Sequence, residues 1–199
     1  MKKKLTLLIF VITSYGYAQY PIINDSIKLP GLYRTFEEFR DNKPSVFIDF
    51  INSTYKIEKE ERKYGNLGNR KYIYVYGLNC DERTSNNIGS LFGFCDGNKI
   101  YITSETQQLP HYMSFYEINY LNTYSYFDFV TTYIPTISSI YLESLSCEVI
   151  DLKTGKFSKL TKSFIKKIIL DNSELSRKFE LQDEKSEHLK EYLIEYLKQ

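Results

Sequence analysis

Five carboxylates in the middle of the chain are the residues best suited to acid–base chemistry. They are Asp96, Glu105, Glu117, Asp128 and Glu143, in a stretch where Lys99 is the only lysine or arginine between Thr84 and Leu152. Two carboxyl groups that face each other across a cleft can hydrolyse a glycosidic bond. Turns and solvated strand positions also account for isolated acids. The pattern therefore raises a carboxylate-dependent secreted hydrolase as an alternative function.

The chain has few side chains suited to nucleophilic catalysis or to metal binding. A serine or cysteine nucleophile needs a base beside it, and the chain has two histidines, His111 and His188. His188 falls on the polar side of an amphipathic segment, and His111 follows a proline in a predicted loop. The cysteine spacing fits no zinc pattern. We therefore expect no catalytic residue of this kind, no metal and no cofactor.

Aromatic residues are concentrated between Pro110 and Tyr133, where charges are few. Exposed rings in such a segment can hold a sugar ring or a partner protein. The alternative is core and sheet packing, because tyrosine is frequent throughout the chain, with 19 tyrosines and 13 phenylalanines. The candidate ligand-binding residues are Tyr112, Tyr116, Tyr120 and Tyr124.

Three cysteines, Cys80, Cys95 and Cys147, allow at most one internal disulfide. Their separation in sequence favours a Cys80–Cys95 bridge, although all three pairings remain open. The other interpretation is three buried thiols that pack as small apolar side chains.

The first 18 residues have the pattern of a secretory signal peptide. Lysines at positions 2–4 precede an apolar run at 5–12, and the small residues Gly16 and Ala18 follow it. That run is well short of the roughly 18 residues that cross a bilayer, and no later run is longer. We expect cleavage after Ala18 and export to the periplasm or beyond. Because no cysteine lies near the cut, we expect no lipid anchor.

Composition excludes several classes of protein. The 199 residues carry 26 basic and 25 acidic groups, a formal charge of +1, so nothing favours binding to nucleic acid. Hydrophobic residues make up 42% of the chain, which is ordinary for a folded domain.

Hydrophobic periodicity predicts strands in the first two thirds of the chain. Thr35 and Glu38 form a capping-box pattern that begins a short helix ending near Asp41. The predicted strands are the apolar run 46–51, the alternating run 55–58, the β-branched and aromatic run 72–76, and a run near 124–134. In run 72–76 the three tyrosines share one face, and we expect the two faces to meet different environments. The stretches 59–71 and 80–89 are predicted loops.

Two hairpins and a helical C-terminus complete the prediction. Asp96-Gly97-Asn98 joins strands 91–95 and 99–102, and the turn 151–155 joins strands 147–150 and 157–160. Helical spacing follows at 161–170, 173–179 and 184–199.

Strands followed by helices predict an α+β fold. We expect a mainly antiparallel sheet of about six to eight strands, one short N-terminal helix and two or three C-terminal helices. Residues 19–30 are expected to be a flexible arm. Residues 31–199 are expected to form a single α+β domain, with its helical part at 161–199.

Three groups of motifs stand out along the chain: G-L-Y-R-T-F-E-E-F at 31–39 with N-K-P-S at 42–45, G-F-C-D-G at 93–97, and V-I-D-L-K-T-G at 149–155. Together they resemble small secreted proteins of unknown function from Bacteroidota. Many members of that group have tryptophan where this chain has Phe92. The resemblance implies export and a single domain, and it implies no activity.

Export without a catalytic constellation favours a non-enzymatic binding or accessory domain of the cell envelope. Its partner would be an envelope protein or a glycan.

Overall fold

The computed structural model describes residues 20–53, 55–64, 71–80, 82–103, 113–133 and 142–199. Within these ranges the chain is α+β, with ten strands and six helices, so the predicted fold class is confirmed. The expected signal peptide at 1–18, together with His111 and Tyr112, lies outside the described residues. No helix in the described ranges has the length and apolar character needed to cross a bilayer.

Of the described helices, one precedes the strands, two lie among them, and three form the C-terminal part of the chain. The helices are α1 (Pro21–Asn24), α2 (Phe36–Arg40), α3 (Glu82–Ile88), α4 (Lys162–Ile168), α5 (Ser173–Leu181) and α6 (Leu189–Leu197). The strands are β1 (Gly31–Tyr33), β2 (Val46–Phe47), β3 (Lys56–Tyr64), β4 (Lys71–Asn79), β5 (Gly93–Cys95), β6 (Ile100–Ile102), β7 (Tyr116–Glu117), β8 (Tyr124–Tyr133), β9 (Leu142–Asp151) and β10 (Lys156–Lys159).

The described strands pair antiparallel in three sheets, where the sequence predicted one. Their orders are β2-β1-β5-β6-β7, β10-β9-β8 and β3-β4. Tyr76 of β4 and Phe115 exchange both backbone N–H···O bonds, at 2.9 and 2.8 Å. That bridge holds the β3–β4 hairpin beside the end of the five-stranded sheet.

Three apolar clusters fix the layers. One contains Phe127, Ile150 and Ile102 and also receives residues from the N-terminus. A second, with Phe94 and Phe115, fills the space beside the five-stranded sheet and β4. The third packs helices α4 to α6 against the face of β8 and β9 that carries Tyr126 and Val149.

Residues 20–30, expected to form a flexible arm, are packed against the domain. Ile22 in α1 is fully buried in the first cluster. The buried Asn42 side chain accepts a hydrogen bond from Leu29 N at 3.1 Å, and its amide donates to Asp25 Oδ2 at 2.8 Å. The polar sequence concealed this anchoring because its partner lies at a distant position in the chain.

The predicted capping and hairpin signals are confirmed. Thr35 Oγ1 accepts from Glu38 N at 3.3 Å, while the Glu38 carboxylate accepts from Arg34 N at 2.6 Å, one residue before the cap. The turns at 96–98 and 151–155 place Gly97 and Gly155 at φ +99° and +73°, a region that side chains disfavour.

Three predicted elements are wrong. Run 46–51 forms only the two-residue edge strand β2, because Asp49 Oδ1 accepts from Ile51 N at 3.0 Å and turns the chain away. Stretch 59–71 begins as the second half of β3, which pairs with β4 as far as Tyr64 opposite Lys71. Stretch 80–89 contains α3, whose one buried apolar residue, Ile88, gives no helical periodicity.

Candidate functional site

A cleft of about 570 Å³ opens between the β3–β4 hairpin, the end of the five-stranded sheet and helix α6. That volume falls in the range of small-molecule sites. Its lining residues come from five parts of the chain: Tyr72, Ile73, Tyr74, Tyr76, Glu117, Asn119, Asp128, Leu145 and Lys190. We call it the tyrosine cleft.

Strand β4 supplies the tyrosines by alternation. Ile73 and Val75 point into the first apolar cluster, whereas the rings of Tyr72 and Tyr74 on the other face are 51% and 45% exposed. The expectation of two different environments is confirmed. Because the apolar face is buried, the position of the tyrosine face is set by the core.

Tyr76 closes the inner end of the tyrosine cleft. Its ring packs on Tyr101 with centroids 4.6 Å apart, and its hydroxyl donates to Glu117 Oε2 at 3.1 Å. Burial, aided by the Glu117 carboxylate, raises the pKa of Tyr76 to about 12. Glu117 also pairs with Lys99, whose Nζ lies 2.8 Å away. A fixed carboxylate with its own cation therefore lies beside the tyrosines.

A second ion pair lies on another wall. Lys190 Nζ donates to Asp128 Oδ1 and Oδ2 at 2.6 and 2.7 Å. Burial alone would lower the pKa of Lys190, but the hydrogen bond and charge of Asp128 outweigh burial and hold that pKa above its ordinary value. Lys190 lies in the first turn of α6, where the helix dipole disfavours a cation. Asp128 therefore compensates for an unfavourable position.

Asn119 joins this second pair. The backbone N–H of Asn119 donates to Tyr126 O at 2.9 Å, and its side-chain amide donates to Asp128 Oδ2 at 3.4 Å. The cleft therefore presents an amide, two carboxylates and one lysine at its walls, with a second lysine, Lys99, behind Glu117. Hydrogen bonding to a polar ligand is the chemistry that this set can perform.

Cations also contact the rings. Lys59 Nζ lies 3.5 Å from the centroid of the Tyr74 ring, and Lys190 Nζ lies 5.7 Å from that of Tyr126. Both distances are within cation–π range.

The four predicted binding tyrosines are not brought together in this cleft. Tyr112 lies outside the described residues. Tyr116 is only 5% exposed and stacks on Phe127 at 5.6 Å, so its proposed role as an exposed binding residue is wrong. Tyr120 stacks on Tyr126, and Tyr124 packs edge-on against Phe164 in a separate hollow. These rings pack against strands and helices, the alternative that the sequence had left open.

The structure brings two of the five candidate carboxylates to the tyrosine cleft. Glu117 and Asp128 both line the cleft. Asp96 accepts from backbone N–H groups in its turn and from the Tyr101 hydroxyl at 3.1 Å. Glu143 belongs to β9, and Glu105 lies outside the described residues.

The cysteines are not joined by disulfides, so the expected Cys80–Cys95 bridge is not formed in the structure. Cys95 is fully buried at the end of β5, and its sulfur accepts from Gly97 N at 3.3 Å. It packs as a small apolar side chain, the other interpretation of the sequence. Burial, together with the charge of neighbouring Asp128, raises the pKa of Cys147 to about 12, which makes this thiol a poor nucleophile.

His188 belongs to no metal-binding cluster in the described part of the chain. His188 precedes α6 and its Nδ1 lies 2.9 Å from Glu191. No group of three or more His, Cys, Asp or Glu side chains among the described residues could hold a metal ion.

The residues that sequence reasoning missed are Tyr72, Tyr74 and Lys190 as members of a site. The alternation in run 72–76 was a usable signal for the tyrosines. No local signal could place Lys190, because its partner Asp128 is 62 positions away in sequence.

Comparisons of the chain with protein-family models, with curated proteins and with solved structures find no match.

Proposed function

We propose that this chain is an exported, non-enzymatic binding protein of the cell envelope, and that the tyrosine cleft is its binding site. One observation carries the proposal: two exposed tyrosines and two ion-paired carboxylates meet in a single cavity of about 570 Å³. Aromatic faces with a few fixed polar groups are the usual composition of a site for a small polar ligand.

The rigidity of the walls supports binding. Ion pairs at 2.6–2.8 Å and the Tyr76–Glu117 hydrogen bond hold the polar groups in place before a ligand arrives. A site arranged in advance loses less conformational entropy on binding, so more of each contact contributes to affinity.

Export is supported by the pattern of residues 1–18. Fusing residues 1–25 to a phosphatase that folds only after export should give active enzyme in a Gram-negative host. Replacing the lysines at positions 2–4 with glutamate should abolish the activity. Recovery of the full chain from the cytosol with its initiator methionine intact would contradict export.

A thermal-shift screen of residues 19–199 against envelope glycans, peptides and metal salts tests the binding function. At about 100 times Kd, a ligand should raise Tm by roughly 5–10 °C. Tyr72→Ala and Tyr74→Ala should remove the shift. Phe47→Ala is the matched control, because Phe47 is an exposed ring on the edge strand β2, at the other end of the five-stranded sheet. A shift that survives both tyrosine variants would place binding elsewhere.

A carboxylate-dependent hydrolase is the second candidate, favoured by the presence of Glu117 and Asp128 in one cleft. Each carboxylate is already held by a lysine ammonium within 2.8 Å, whereas glycoside hydrolysis needs two carboxyl groups that both act on the substrate. The ion pairs therefore favour binding. Turnover of a glycoside by the native protein, lost in Glu117→Gln and Asp128→Asn, would reverse this order.

A further inference from the structure

We infer that the tyrosine cleft takes a neutral saccharide with vicinal hydroxyl groups. This inference rests on the proposed binding function and names the ligand class for the same site. It comes from the combination of an aromatic platform with the Asp128–Lys190 pair, which offers a donor and an acceptor at adjacent positions, and with a second acceptor, Glu117.

The platform is formed by Tyr72 and Tyr74. Two residues apart on one strand face, their side chains are about 6.6–6.8 Å apart along β4. Both residues are about half exposed, and the buried Ile73 between them fixes the strand. Lys59 Nζ lies 3.5 Å from the centroid of the Tyr74 ring, so a ligand packs on Tyr74 beside this ammonium. A pyranose has a C–H face that packs on such a ring, so two rings can support a ligand longer than one sugar.

The Asp128–Lys190 pair supplies the first polar contact. The Lys190 and Asp128 side chains are 40% and 24% exposed, so a ligand can reach both while they remain bonded to each other. A hydroxyl group donates and accepts at once. Two neighbouring hydroxyls can therefore donate to the Asp128 carboxylate and accept from the Lys190 ammonium, and the Asn119 amide lies close enough to add a third contact.

On the other wall, Glu117 supplies a second acceptor, and its partner Lys99, which does not line the cleft, balances its charge. The Lys99 and Glu117 side chains are 52% and 31% exposed. Because each carboxylate is matched by one ammonium, neither pair carries a net charge, and one further ammonium, that of Lys59, lies over the Tyr74 ring. A charged ligand would have to break one of the pairs, whereas a neutral polyol can bond to Asp128, Lys190 and Glu117 with both pairs intact.

An extended peptide fits this site less well. Peptides that add to a sheet need an open strand edge. One edge of β4 pairs with β3 along its whole length, and Tyr76 on the other edge pairs with Phe115. At Tyr76, a peptide would have to displace this bridge before it could pair with β4.

Calorimetric titration of residues 19–199 tests the inference. The probes are neutral di- and trisaccharides, the same sugars lacking one hydroxyl of a vicinal pair, an anionic saccharide, and an uncharged peptide of similar size. We expect the neutral saccharides to bind, and loss of one hydroxyl to weaken binding about 10- to 100-fold. The anionic saccharide and the peptide should bind at least about tenfold more weakly.

Variants locate the binding. Asp128→Asn and Asn119→Ala should each weaken binding about tenfold or more. The matched control is Glu195→Gln, which removes the carboxylate of another lysine pair, Lys178–Glu195 at 2.6 Å, outside the cleft. It should change affinity by less than about twofold. Unchanged near-UV circular dichroism in each variant shows that loss of binding is not loss of fold.

The outcomes separate the two proposals. If the peptide binds in a Tyr74-dependent manner and no saccharide does, the saccharide inference is overturned and the binding function stands. If saccharides bind but deoxygenation and Asp128→Asn have no effect, the role of the ion pairs is overturned. If no probe binds and none shifts Tm, both proposals are overturned.

Discussion

Two tyrosine-rich stretches of this chain differ in how far their rings are exposed to solvent. In β4, Tyr72 and Tyr74 lie on an exposed face above a buried aliphatic one. Between residues 116 and 126, Tyr116 stacks on Phe127, and Tyr126 is buried against the helices. The residue types are alike, so the difference lies in what covers each face.

The comparison shows that aromatic density by itself does not locate a binding surface. The segment 113–133 is bounded by the β9–β10 strands on one side and helix α6 on the other, and both faces of β8 are used for packing. Strand β4 packs in the first apolar cluster through Ile73 and Val75, and in the second through Tyr76 and Leu78 on its other face. Further along that other face, Tyr72 and Tyr74 stay exposed beside charged side chains of β7, β8 and α6.

The largest expected difference between the two stretches is in stability. Tyr116→Ala removes a buried, stacked ring, so we expect the free energy of unfolding to fall by about 3–5 kcal/mol. Urea unfolding measures this. The matched substitution Tyr72→Ala should change the same quantity by no more than about 0.5 kcal/mol. Equal losses in the two variants would contradict the comparison.

Alkaline pH should act through the packed tyrosines. Burial raises the pKa of Tyr126 and Tyr124 above its ordinary value, and raises that of Tyr76 to about 12. A folded-state pKa above the unfolded value stabilises the protein fully below about pH 10, and that contribution is lost as pH rises through the folded value.

We therefore expect the free energy of unfolding to decline by about 1–3 kcal/mol between roughly pH 9 and pH 12. Urea unfolding at each pH measures this decline, and tyrosinate absorbance reports the ionisation of the tyrosines. Tyr126→Phe should flatten this decline, because phenylalanine does not ionise. An unfolding free energy that is constant over this range would count against burial of these rings.

The ion pair of the cleft should contribute more to stability than one at the surface. Asp128→Asn leaves the Lys190 ammonium, which is 40% exposed, without its carboxylate. Solvent screening limits the expected loss to about 1 kcal/mol. Glu195→Gln breaks the Lys178–Glu195 pair, both of whose side chains are about half exposed, and should lower the free energy of unfolding by less than Asp128→Asn does. Chemical unfolding of both variants in low salt measures the two losses in the free energy of unfolding. Equal losses would contradict the larger contribution of the pair in the cleft.

Local chemistry made part of this fold predictable from the sequence. The Thr35 cap, the Asp96-Gly97 turn and the alternation of run 72–76 depend on neighbouring residues, and each is present in the structure. Patterns that need a distant partner failed. The apolar run 46–51 suggested a covered strand, yet Asp49 turns the chain and leaves Ile51 87% exposed.

Only part of the candidate site could be predicted from the sequence, for the same reason. The alternation of β4 could identify one tyrosine face. The Tyr76–Glu117 bond spans 41 positions and the Lys190–Asp128 pair spans 62, so their meeting depends on tertiary structure. The described tyrosines of the aromatic segment, from Tyr116 to Tyr126, pack against partners that the local sequence does not display.

Tyrosine nitration mapped by mass spectrometry tests the central claim most directly. In the unliganded protein, Tyr72 and Tyr74 should react well before Tyr116. Adding the neutral saccharide that raises Tm most should protect Tyr72 and Tyr74 and leave Tyr120 and Tyr124 unchanged. Protection of Tyr120 and Tyr124, with Tyr72 and Tyr74 still reactive, would contradict the assignment of the tyrosine cleft as the binding site.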